Sequence, residues 1–125
     1  MKDPEIDILI KDLETASMTD AGLEGVVHAL TIVLPAKATQ GVTPHQIGTT
    51  DGALHVADNA YPNWAVHIHG RANDHDGHWH CSLRENDSFD NDAVIGAGRA
   101  PVLAQAILAA VLRLSMMLKK DGASG

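Results

Sequence analysis

The chain has 125 residues, enough to close one core without staples and too few for a multidomain enzyme. Its composition is 45% hydrophobic with little aromatic content (Tyr61, Trp64, Trp79, Phe89), as expected of a soluble globular domain. Nine Lys and Arg against sixteen Asp and Glu give a formal net charge of −7, which leaves no basic surplus to displace counterions and argues against direct nucleic-acid binding.

Asp3-Pro4-Glu5 has the grammar of a helix start: an N-cap acceptor, proline at the first position, and an acid at the positive end of the dipole. Ile6, Leu9, Ile10 and Leu13 follow at helical spacing, with Asp7, Lys11, Asp12 and Glu14 on the other side. Ser17 or Thr19 is placed to cap a second helix with the stripe Leu23, Val26, Val27, Leu30 and Val33, stopped by Pro35. Residues 35–50, rich in Gly, Thr, Gln and Pro, read as a surface connection, and Asp51 to Asp58 is ambiguous between a helical turn and a short strand.

From Asn63 the period becomes two. Trp64, Val66 and Ile68 alternate with His67, His69 and Arg71; after the turn-forming run 73–77, Trp79, Cys81 and Leu83 alternate with His78, His80, Ser82 and Arg84. This is a hairpin over 64–71 and 78–85, with the apolar set expected in the core and the four histidines on the opposite face. Ala93 to Gly96 reads as a short third strand and Gly96 to Ala100 as a turn into a long helix over 101–118, with Lys119 and Lys120 at its negative end. The expected fold is therefore α+β: an N-terminal helical pair and a small antiparallel sheet covered by a long C-terminal helix. It forms one domain over 1–121, with a flexible tail over 122–125.

Eight histidines are the compositional outlier. His-x-His on a strand sets two imidazoles roughly 7 Å apart on one side, so His67 and His69 facing His78 and His80 are candidate ligands for Zn²⁺ or Ni²⁺. The alternative is a histidine-rich face toward solvent, with no cofactor. Seven acids fall in the first 24 residues, and six more (Asp74, Asp76, Glu85, Asp87, Asp90, Asp92) surround the hairpin as a candidate surface for a basic partner. The acidic loop is no EF-hand: counted from Asp87, its third position is Phe89 and it lacks the central glycine. Gly96-x-Gly98 before a helix lacks the third glycine of a dinucleotide fingerprint. Cys81, the single cysteine, shares the apolar face and reads as an inert buried thiol.

The opening residues lack the basic-then-apolar order of a signal peptide, so a cytoplasmic protein is expected. Gln105 and Arg113 interrupt the apolar run of 100–118, so no membrane role is expected.

Several segments together resemble small phage and prophage proteins with a phage ABA-sandwich domain. They are Ile6-Asp7-Ile8-Leu9-Ile10, Asp51-Gly52-Ala53-Leu54, the Trp64 strand, Trp79 to Arg84, and Gly96 to Ala106. The resemblance implies a bacteriophage-type accessory protein in the host cytoplasm and carries over no catalytic residue. The expected function is non-catalytic binding of a host or phage protein with a basic surface, such as inhibition of a nucleic-acid-handling defence complex. A histidine-based metal module or small metal enzyme, a virion or assembly component, and a homo-oligomer are the competing expectations.

Overall fold

The computed structural model describes residues 3–15, 17–70, 78–84 and 95–124, with side chains described as far as Leu118. Its elements are α1 (Asp3–Thr15), α2 (Asp20–Val33), α3 (Ala36–Thr39), α4 (Pro44–Ile47), α5 (Thr50–Ala60), β1 (Ala65–His69), β2 (Trp79–Arg84), β3 (Ile95–Ala100) and α6 (Leu103–Ser124). The architecture is α+β. N-terminal helices and a three-stranded antiparallel sheet, ordered β1-β2-β3, pack around the long helix α6.

α1 and α2 form because their apolar residues share one side. Ile6, Ile10 and Leu13 of α1, and Leu23, Val26, Ala29 and Leu30 of α2, are buried. Thr19 caps α2 by accepting from the Gly22 N–H at 3.3 Å. The turn between these helices is clamped from a distance by the buried Gln105 of α6. Its amide donates to the Leu13 carbonyl and its oxygen accepts from the Met18 N–H, each at 2.8 Å. One side chain thus satisfies a helix-end carbonyl and an incoming N–H that would otherwise be costly to leave near the core.

The 35–50 connection contains two single-turn helices, α3 and α4, and buries Ala38, Thr39 and Ile47, so it contributes to the core rather than lying over it. The ambiguous 51–58 segment is the helix α5, capped by Thr49, with Ala53, Val56 and Ala57 buried. Tyr61, just past its end, donates to Ser115 Oγ at 2.7 Å, since Ser115 donates its own proton to the Val111 carbonyl.

The third strand is displaced from its expected position. Gly96-Ala97-Gly98-Arg99-Ala100 lies within β3 rather than forming a turn, and Ala93 and Val94 fall outside the described residues. The cause is helix packing. A Cβ on Gly96 would stand 2.5 Å from Leu114 Cβ, and one on Gly98 would stand 2.6 Å from the Ala110 nitrogen. The two glycines let the α6 backbone settle directly onto β3. α6 also continues to Ser124, past the end expected at 118. No helix among the described residues is long and apolar enough to cross a membrane.

Candidate functional site

The hairpin register is Ala65↔Arg84, Val66↔Leu83, His67↔Ser82, Ile68↔Cys81 and His69↔His80, and His80 in turn stands opposite Arg99 of β3. Cross-strand partners point to the same side of a sheet, so one outer row reads His69, His80, Arg99 and the next reads His67, Ser82, Ala97. His67, His69 and His80 therefore share a face as the alternation requires. His78 sits before the start of β2, half-buried, and its Nδ1 is buried without a hydrogen-bond partner among the described residues. Among the described residues no three His, Cys, Asp or Glu side chains are grouped to hold a metal ion. His67 faces a serine, and His69–His80 is flanked by a guanidinium.

The opposite face of the sheet divides sharply. α6 packs across β3 and β2, burying Leu83 and Cys81 completely or nearly so. β1 lies outside its reach. A helix with side chains is about 10 Å wide and strands lie about 4.8 Å apart, so one helix covers two strands and a third needs another element. None of the described elements supplies it: Val66, Ile68 and the adjoining Trp79 keep 38%, 37% and 39% of their surfaces exposed. Trp79 was expected in the core with Cys81 and Leu83. It stands instead at the end of β2, opposite Ala100, where the helix does not close over it. β1 is also an edge of the sheet, whereas the other edge, β3, is partly occupied by α1. There Glu14 accepts the Arg99 backbone N–H at 3.0 Å and is gripped in bidentate fashion by Arg113, which also donates to the Ala97 carbonyl at 2.8 Å.

Among the described residues β1 thus combines a sheet edge that no further strand pairs, apolar side chains beneath it, and no Asp, Glu, Lys or Arg within Ala65–His69. It lacks the lysines, prolines and inward-pointing charges that usually blunt an exposed edge.

Charge elsewhere is one-sided. Glu5, Asp7 and Asp12 of α1, Asp20 and Glu24 of α2, and Asp51 and Asp58 of α5 are exposed, against exposed Lys11, Lys37 and Arg99. Ile8 stands 59% exposed amid the α1 acids. The acids expected to line a partner surface around the hairpin, Asp74, Asp76, Glu85, Asp87, Asp90 and Asp92, lie outside the described residues.

The shifted titrations belong to structural groups. Burial raises the Glu14 carboxyl, but hydrogen bonds from Arg113 and the Arg99 N–H, with the charges of both arginines, outweigh it and leave the group below its ordinary value. Burial pushes the Cys81 thiol up to about 11, which makes it a poor nucleophile. The signal that a reading of the chain missed is the asymmetry of small residues: Gly96, Gly98 and Ala100 mark the strand the helix sits on, and bulky Val66 and Ile68 mark the strand it does not.

A cavity of about 470 Å³ opens between the 40–42 segment, α4 and the first turns of α5, lined by Gln40, Gly41, Val42, Gln46, Ile47, Thr49, Asp51, Gly52 and His55. No protein-family model, curated protein or solved structure matches the chain.

Proposed function

We propose that this protein works without catalysis, as a bacteriophage or prophage accessory protein that binds a basic host or phage protein. An extended segment of that partner docks along β1. The observation that carries this reading is β1 itself: among the described residues it is an edge of the sheet, with Val66, Ile68 and Trp79 exposed on the side toward α6. Strand addition supplies main-chain hydrogen bonds, and alternate side chains of the incoming strand bury the apolar underside. Trp79 is the natural anchor, since half-exposed aromatics dominate the energy of such contacts once covered.

Charge selects the partner. A second copy of this chain brings another −7, so self-association through β1 works against mutual repulsion, while a basic protein is drawn in by the exposed acids of α1, α2 and α5. A component of a nucleic-acid-handling defence complex, basic because it grips phosphates, has that chemistry. The phage assignment is supported by the motif resemblance alone.

The test is capture from a bacterial lysate at low salt with wild-type protein, Ile68→Lys and Trp79→Ala in parallel. The expected result is a basic protein that elutes as salt rises and is absent from both variants, whose melting temperatures stay near wild type. A captured protein that both variants retain, an acidic one, or no captured protein at all overturns the proposal. So does a wild-type dimer in sedimentation that Ile68→Lys dissolves, because the occupant would then be a second copy.

A further inference from the structure

We infer that the cavity between the 40–42 segment and α5 is a binding site for an organic cation, a primary ammonium carried on a short alkyl stem. Its volume, about 470 Å³, lies within the range of small-ligand sites. Asp51 is the one carboxylate in its lining, and no lysine or arginine lines it among the described residues, so an anion is repelled and a cation has one defined counter-charge. Half-buried Val42 supplies apolar surface for the stem, and Gln40 and Gln46, both exposed, also line the cavity. His55 stands one helical turn from Asp51 on the same side of α5. Asn59 Nδ2 lies 2.9 Å from its Nε2, which ties the ring to the next turn of the helix.

The walls are fixed before any ligand arrives. Thr43 and Gln46 form a reciprocal capping box at the start of α4. Thr49 accepts the Gly52 N–H at 3.0 Å and donates to the Gln46 carbonyl at 2.7 Å, joining α4 to α5. A side chain at position 52 would run into the Gln46 carbonyl, so glycine is what allows α5 to begin against the end of α4. Five of the lining residues, Gln46 to Gly52, are thereby held by caps rather than by a ligand, and little ordering opposes binding. One exposed ion pair and a short stem set the affinity on the order of millimolar.

This site lies apart from β1 and does not rest on the strand-docking proposal. The ammonium group has two sources, a free small amine or a lysine of a bound peptide, so two probes are used with ¹⁵N-labelled full-length protein: n-butylammonium chloride and Nα-acetyl-lysine amide. The expected result is saturable amide shifts at Gly41, Gly52 and His55 with n-butylammonium, and none with butyrate or n-butanol. Matching shifts with the lysine derivative identify a peptide lysine as an accepted ligand, and their absence restricts the site to free amines. Asp51→Asn weakens binding by roughly tenfold or more. Val42→Lys, which places a tethered ammonium in the cavity, abolishes binding while keeping the wild-type fold, and so guards against a trivial loss of α5 in the first variant. No saturable shift with n-butylammonium, equal shifts with n-butanol, or undiminished binding in either variant overturns the inference.

Discussion

β3 and β1 are the two edges of one sheet, and they are built for opposite fates. β3 is nearly side-chain-free on its inner side, Gly96, Gly98 and Ala100, and α6 lies against its backbone. β1 presents Val66 and Ile68 to the same side, and the helix stops short of them. Small residues therefore mark where the chain covers itself, and bulky ones mark where it does not. Among the described residues of the sheet, Val66, Ile68 and Trp79 are the exposed large apolar side chains, and it is this surface to which the docking proposal assigns a partner.

The comparison breaks most violently at Gly98. A Cβ there meets the Ala106 carbonyl and the Ala110 nitrogen, both helix backbone, so no flexible side chain can give way. Gly98→Val is expected to cost about 4 kcal/mol or more and to abolish a cooperative thermal transition, as calorimetry would show. A variant that melts like wild type would mean that α6 does not rest on β3.

One step smaller is a matched pair across the boundary. Leu83 is fully buried and pairs with Val66; Ile68, on the same face, is 37% exposed. Leu83→Ala is expected to lose about 3 kcal/mol in urea unfolding and Ile68→Ala less than about 1 kcal/mol, because only the first leaves a cavity. Similar losses for the two would show that β1 is covered after all.

The Glu14–Arg113 pair tests the occupied edge. Because the folded carboxyl is held below its ordinary value, its contribution is fully present above that ordinary value, about 4.3, and is lost as pH falls through the lower folded value. Glu14→Gln is expected to cost about 1 kcal/mol near neutrality, discounted because Arg113 is 39% exposed, and to flatten the stability profile below about pH 4. An unchanged acid limb in denaturant titrations would dismiss the pair as a clamp.

Much of this was legible in the chain. Period two across 64–84 located the hairpin and put His67, His69, His78 and His80 on one face, of which His78 lies just outside β2, and period 3.6 located α1, α2 and α6. Alternation tells which side a residue faces, but it does not tell whether anything stands opposite. Trp79, Val66 and Ile68 read as core for that reason, and the uncovered strand, which depends on the width of one helix against three strands, was invisible. The glycines of β3 read as a turn because glycine signals both a turn and a close approach, and only the partner helix distinguishes them. The 35–50 segment read as a connection because single-turn helices have no period to detect, although Thr43 with Gln46 spelled a capping box.

The smallest expected effect sits on the boundary itself. Cys81 pairs directly with Ile68, yet it is 2% exposed and its thiol is pushed up to about 11. At pH 8 the native thiol is neutral and covered, so alkylation requires opening, and its rate reports what covers it. If α6 is the cover, Ile68→Lys leaves the labelling rate within about twofold of wild type, since a lysine on the bare strand removes nothing that lies over β2. Leu83→Ala, which loosens the helix contact, is expected to raise the rate about tenfold for each 1.4 kcal/mol of lost stability, provided that opening is global. The reverse order, with labelling fast in Ile68→Lys and slow in Leu83→Ala, would make β1 rather than α6 the element that shields the sheet. The strand proposed here to receive a partner would then be part of the protein's own core.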